Sequence, residues 1–184
     1  MQDKNSIRKK IKILRRKNYS LDENAPWKAA KNFFFYFKKN IKSIGLYWPM
    51  LYELDTRPLI KLLLEKKIDI CLPSVSSNQL KFFQWKLNDT LTFNRLKFYE
   101  PKQKSIQKNP SLILVPMLAF DKNGVRLGYG RGFYDKFFEK NKNLFYLGYG
   151  YEFQEVNYLP SEHFDLRCNT IITNESIKVF VSWI

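Results

Sequence analysis

The chain has 184 residues and a mass of 22.1 kDa, with 45% hydrophobic and 27% charged residues. That is one domain's worth of sequence, enough to bury a sizeable core. Seven Gly and eight Pro exclude collagen-like and low-complexity architectures. Lys and Arg number 32 against 17 acids, a net charge of +15. Such a balance favours polyanions: nucleic acid, phosphates or polycarboxylated substrates. The lysines are spread along the chain rather than gathered in a block, so a solvated basic surface explains them as well. The longest apolar run, Leu112 to Phe120, is nine residues and contains Pro116, too short for a membrane span. Cys71 and Cys168 suggest neither a zinc site nor a disulfide framework. With no secretory apolar segment at the N-terminus, a reducing cytoplasm is the expectation.

Ile7, Ile11 and Leu14 predict an amphipathic helix over 4–17. A second helix is expected from Pro26 to Lys39, with Trp27, Ala30, Phe34 and Phe37 on its apolar face. Ser43 to Trp48 reads as a buried strand closed by Pro49. Thr56 to Lys67 reads as a helix with Leu59, Leu62 and Leu63 on one face, and Ile68 to Leu72 as a strand ended by Pro73. Strand, helix and strand with short links imply parallel pairing through a crossover. Residues 74–108 are irregular, with a possible strand from Leu80 to Leu87 and a loop from Lys102 to Asn109. Ser111 to Val115 has the continuous apolarity of a central strand. A helix is expected from Phe133 to Lys140, then strands at Leu144–Gly148, Thr170–Thr173 and Lys178–Trp183. The whole predicts one three-layer α/β domain over 1–184 with a mostly parallel open sheet.

Chemistry concentrates between Val115 and Asp135, where four of the seven glycines fall. Gly128, Gly130 and Gly132 alternate with Tyr129 and Arg131, immediately before a helix. Alternating glycines let backbone N–H groups approach an anion and permit positive φ. A helix start adds positive potential. Arg126 and Arg131 can neutralise phosphate oxygens, and Asp135 suits Mg²⁺, which takes few protein carboxylates. The spacing is neither a dinucleotide fingerprint, since Phe133 stands where a third glycine belongs, nor a Walker A loop. A phosphate cradle and a purely conformational glycine turn are the two readings this stretch allows by itself.

Arg126-Leu-Gly-Tyr-Gly-Arg-Gly-Phe-Tyr-Asp135, after Val115-Pro-x-x-Ala-Phe-Asp121, resembles the signature of the 5-formyltetrahydrofolate cyclo-ligase family. Weaker pieces follow in the family's order: Lys4-Asn-Ser-Ile-Arg8, Tyr52-Glu-Leu-Asp-Thr56, Glu100-Pro101, Tyr151-Glu-Phe-Gln154, Leu159-Pro160, Asp165 and Ile172-Thr173. The resemblance covers nearly the whole chain. It implies an ATP- and Mg²⁺-dependent enzyme that closes 5-formyltetrahydrofolate to 5,10-methenyltetrahydrofolate and releases ADP and phosphate. In that chemistry the formyl oxygen takes the γ-phosphoryl group, and the folate N10 then attacks the activated carbon. It also implies the open sheet of the sugar-phosphate isomerase and CoA-transferase group.

The resemblance further implies a role for each matching position. Lys4, Arg8 and the loop Arg126, Leu127, Gly128, Tyr129, Gly130, Arg131, Gly132, Phe133 and Tyr134 would hold ATP, with Arg126 and Arg131 stabilising the transferring phosphoryl group. Trp48, Glu53, Tyr151 and the segment Tyr129–Phe133 would meet the folate. Asp135 and Asp165 would bind Mg²⁺. The small-molecule partners are then ATP and 5-formyltetrahydrofolate. No nucleic acid or membrane partner is expected, and the protein is expected to be a monomer. A histidine base would rest on His163 alone. Two rivals remain on residues alone: a basic nucleic-acid-binding module, and an isomerase or CoA-transferase on the same fold.

Overall fold

A computed structural model describes residues 3–38, 41–102, 106–162 and 165–181. In chain order they form α1 (Lys4–Asn18), α2 (Ala25–Tyr36), β1 (Ser43–Gly45), α3 (Arg57–Glu65), β2 (Asp69–Ser76) and β3 (Gln79–Trp85). A hairpin of β4 (Leu91–Phe93) and β5 (Tyr99–Pro101) follows, then β6 (Gln107–Lys108), β7 (Leu112–Pro116), β8 (Ala119–Asp121) and β9 (Arg126–Leu127). Last come α4 (Phe133–Lys140), β10 (Phe145–Gly150), a 3-10 turn at Glu152–Gln154, β11 (Glu155–Val156), β12 (Thr170–Thr173) and β13 (Ile177–Val179). None of the described helices is long and apolar enough to cross a membrane.

The main sheet runs β13-β12-β10-β7-β1-β2-β3-β6. The five strands from β12 to β2 are mutually parallel, and β13, β3 and β6 add antiparallel edges. β7 shows why it sits in the middle: its side chains alternate between two cores, as period-2 geometry requires. Leu112 and Leu114 face α2 and α3, with Ile44, Ile70, Leu147 and Phe33. Ile113 and Val115 face α4, with Phe82 and Phe138. Both faces are covered, which gives the expected three layers. α1 packs outside them, placing Ile7 and Ile11 against Ala119 and Leu127 of a small sheet ordered β11-β8-β9, and against Val125 just before β9.

Several boundaries moved. β1 ends at Gly45, three residues before Trp48, because the chain there leaves the sheet to build a cavity wall. β2 continues through Pro73 to Ser76. Pairing with β1 ends at Cys71, so from Pro73 onward β2 has only β3 as a partner, and one edge is free to accept a residue without an N–H. α2 ends at Tyr36, and residue 39 lies outside the described residues. Its buried face is Ala25, Ala29, Ala30 and Phe33, which leaves Trp27 exposed. β6 falls within the expected loop 102–109. Both cysteines are buried and free, and burial pushes their thiols up to about 11 at Cys71 and about 12 at Cys168.

The β12–β13 edge is fastened to the 3-10 turn by one carboxylate. Glu152 accepts hydrogen bonds from Thr173, from Ser176 at 2.7 Å and from Lys178 at 2.8 Å. Burial raises its pKa, but these donors outweigh burial and hold it below the ordinary glutamate value of 4.5. A depressed folded pKa contributes stability that is fully present above the unfolded value and is lost as pH falls through the folded one. Urea unfolding at pH 7 and pH 3 is therefore expected to show an acid loss that shrinks in Glu152→Gln. An undiminished acid loss in the variant counts against this linkage.

Candidate active site

β1 leads outward to β2, whereas β7 leads the other way to β10. The strand order therefore reverses between β1 and β7. At such a point the loops leaving neighbouring C-terminal ends diverge and open a crevice. A cavity of about 890 Å³ lies there. α1 contributes Lys4, Arg8 and Lys12; the segment after β1 contributes Tyr47 to Leu51 and Glu53; β2 and β7 contribute Pro73, Val75 and Pro116. The remaining walls are residues 126–135, Asp165 and the β4–β5 hairpin with Phe93, Leu96, Phe98 and Tyr99.

One wall is the glycine loop. Gly130 has φ +97°, and Gly132, at φ +66°, caps the N-terminus of α4. Both values suit glycine and strain other residues. A Cβ at Gly130 would also sit 3.3 Å from the Arg8 guanidinium, whose Nε donates to the Gly128 carbonyl at 3.0 Å. A Cβ at Gly128 would lie 3.0 Å from Nη1 of Arg126. Two guanidinium groups thus rest against the loop. The Arg126 side chain is 4% exposed; its Nη2 donates to Oδ1 of Asp135 at 2.7 Å, while its Nε has no hydrogen-bond partner among the described residues. A buried donor left open beside a cavity is an invitation to an acceptor. Arg131 is exposed and makes no hydrogen bond or ion pair with the described residues, although it lines the same space. The α4 N-terminus adds its partial positive charge.

Beside the loop, Trp48 and Glu53 form another part of the wall. The turn that presents them holds Tyr52 at φ +64°, uncommon for a bulky residue. Glu53 closes that turn, its Oε2 accepting from the Met50 N–H at 2.8 Å. Its Oε1 accepts from the Tyr129 hydroxyl at 2.7 Å. Trp48 is half-buried, with its ring 5.5 Å from that of Trp85, so it serves the core and the cavity together. Burial pushes the Tyr129 and Tyr134 hydroxyls well above the usual tyrosine value, and Glu53 adds to both. Both phenols are neutral at pH 7.

The acids are few. Asp135 accepts from Arg126 and from the Leu166 N–H at 3.2 Å. Asp165 accepts from Lys4 at 2.6 Å and from the Glu162 N–H at 2.8 Å. Among the described residues there is no group of three or more His, Cys, Asp or Glu that could cage a metal. Asp135 and Asp165 both line the cavity, few enough carboxylates for an ion such as Mg²⁺ that keeps most of its shell as water or phosphate oxygens.

Every site residue predicted from the sequence reaches this cavity except Tyr151. Tyr151 follows the C-terminal end of β10. Its ring is buried and stacks on Phe153 at 4.9 Å, and its N–H donates to Gln154 within the 3-10 turn. His163 lies outside the described residues. The sequence reading missed the β4–β5 hairpin, which lines the cavity, and Arg15, which does not line it but is hydrogen-bonded to its wall. The β4–β5 hairpin lies in 74–108, where no periodicity stood out; the aromatic trio Phe93, Phe98 and Tyr99 was its signal. Arg15 does not stand out among the basic residues of the predicted helix 4–17, yet it is 2% exposed. Its place four residues after Ile11 and eight after Ile7, on the apolar stripe, was the mark of burial.

The model of the 5-formyltetrahydrofolate cyclo-ligase family matches residues 1–174. The chain belongs to that family. It is 32% identical over 138 residues to the 5-formyltetrahydrofolate cyclo-ligase of Haemophilus influenzae, covering 70% of this chain and 74% of that one. To the cyclo-ligase of Mycoplasma genitalium it is 29% identical over 185 residues, 95% of this chain and 99% of the relative. The solved 5,10-methenyltetrahydrofolate synthetase of Aquifex aeolicus superposes with a TM-score of 0.80 at 28% identity, over 98% of this chain and 94% of that structure. The chain thus shares the mixed α/β architecture of this solved relative, with a large, mostly parallel central sheet.

Proposed function

We propose that this chain, acting as one domain over 1–184, is a 5-formyltetrahydrofolate cyclo-ligase that couples closure of its substrate to ATP. The observation that carries the reading is that the glycine loop with its cations and the Trp48–Glu53 segment line one cavity and meet at the Tyr129–Glu53 hydrogen bond. A formamide oxygen is a poor leaving group. Transfer of the γ-phosphoryl group to it makes it a good one and releases ADP. The folate N10 lone pair then attacks the formyl carbon, N10 gives up its proton to the departing phosphate or to water, the C–O bond breaks, and phosphate leaves as the methenyl bridge closes. Phosphoryl transfer asks a protein mainly for positioning and charge neutralisation. Lys4, Arg8, Arg126 and Arg131 supply cations, and residues 127–134 supply backbone and the helix start. Trp48 offers a ring face to the pterin, and Glu53 an acceptor for its donors. Asp135 and Asp165 would hold Mg²⁺, which would supply positive charge to the phosphates.

The two buried free thiols suit a reducing cytoplasm, where the enzyme would work as a monomer on small molecules rather than on nucleic acid. Purified protein given 5-formyltetrahydrofolate and Mg-ATP is expected to develop the absorbance of the methenyl product. Folded protein that yields no ATP-dependent rise overturns the proposal.

A further inference from the structure

Arg15 donates three hydrogen bonds from the buried side of α1. Its Nε donates to the Tyr52 carbonyl at 2.8 Å, Nη2 to the Leu51 carbonyl at 3.1 Å, and Nη1 to the Tyr129 hydroxyl at 2.8 Å. A guanidinium has no acceptor, so the Tyr129 oxygen must accept there. Its own proton must then point elsewhere, and Glu53 stands 2.7 Å away to take it. The direction of the chain Arg15→Tyr129→Glu53 is therefore fixed by Arg15. The guanidinium also lies 5.9 Å from the Tyr129 ring centroid, and Lys12 Nζ lies 5.8 Å from it.

This chain ties together three segments that are distant in sequence. Leu51 and Tyr52 belong to the turn that presents Glu53, and Tyr129 belongs to the glycine loop. A group that moves Glu53 must disturb Tyr129, and a group that moves the loop must disturb Glu53. We propose that Arg15 is a positioning residue that couples the two halves of the cavity, so that a ligand on the glycine loop and a ligand at Glu53 change each other's affinity. The inference rests on the functional reading above, in which the nucleotide occupies the loop and the folate meets Glu53. Thermodynamic reciprocity requires the same factor in both directions.

Titration calorimetry on the full chain would measure the Kd of a non-hydrolysable ATP analogue with and without 5-formyltetrahydrofolate, and the converse. The parent protein is expected to show a coupling of about fivefold or more. Arg15→Met, which keeps the length and removes the donors, is expected to bring the ratio to within about twofold of one. Tyr129→Phe removes only the hydroxyl and is expected to do the same, which keeps the test open if Arg15→Met fails to fold. Arg15→Lys should recover part of the coupling. A role confined to fold stability would lower the melting temperature and leave the ratio intact. A ratio near one in the parent, or an unchanged ratio in both variants, overturns the inference. Failure of either ligand to bind the parent at all instead overturns the functional reading.

Discussion

Arg131→Ala is expected to melt at the temperature of the parent protein and to turn over about 10²–10³-fold more slowly, the loss typical when one preorganised charge is removed from a reacting centre. The two halves of this expectation have separate causes. Arg131 is exposed and unpaired among the described residues, so folding gains little from it. Surface substitutions of that kind stay within about 0.5 kcal/mol. Arg131 nevertheless lines the cavity between Gly130 and Gly132, where, under the proposed function, phosphoryl oxygens would gain charge in the transition state. Thermal melting and steady-state kinetics on one preparation decide the matter. An Arg131→Ala protein with full kcat removes Arg131 from the phosphoryl site.

The Arg126–Asp135 pair should behave in the opposite way, with stability and activity falling together. Asp135→Asn leaves a guanidinium that is 4% exposed without its counter-ion. Breaking a buried pair from that side costs about 2–4 kcal/mol, somewhat below the full range because the amide oxygen still accepts. Arg126→Met should cost less, about 1–2 kcal/mol, because the abandoned carboxylate is 26% exposed and keeps the Leu166 N–H. The two losses should be non-additive in a double-mutant cycle, since each removes the same contact. Under the proposed function both variants also lose about 10²–10³-fold in kcat. Urea unfolding of the four proteins in the cycle tests the ordering. Equal costs from the two sides would mean that the guanidinium is better hydrated than its burial indicates.

The glycine loop carried its message in the sequence because its chemistry is local. Alternating glycines, two arginines and an acid within ten residues of a helix start fix the backbone conformation and the charge wherever the segment lies. Gly130 and Gly132 do adopt positive φ, and Asp135 does fall in the first turn of α4. The long apolar strand β7 was legible for a similar reason. A central strand covered on both faces has no polar side, and Leu112 to Val115 shows none.

The rest depended on partners far along the chain. Pro73 ends a strand by local rules and fails to end β2 because β1 stops pairing first. The β4–β5 hairpin has little apolar periodicity of its own. It is held instead by Glu100, which accepts from Ser74 at 2.7 Å, across 26 residues of sequence. Arg15 looked like one of many surface cations until two carbonyls and a phenol closed around it. Tyr151 sat within a segment in the family's order, yet its ring is buried against Phe153 rather than lining the cavity.

The amino-acid order by itself determined which segment can cradle an anion and which strand lies at the centre, because torsion preferences and apolar periodicity act over a few residues. Only the tertiary structure decided where that cradle opens, what faces it and which charges are buried. Those follow from strand order and desolvation, which are sums over residues the chain brings together from its whole length.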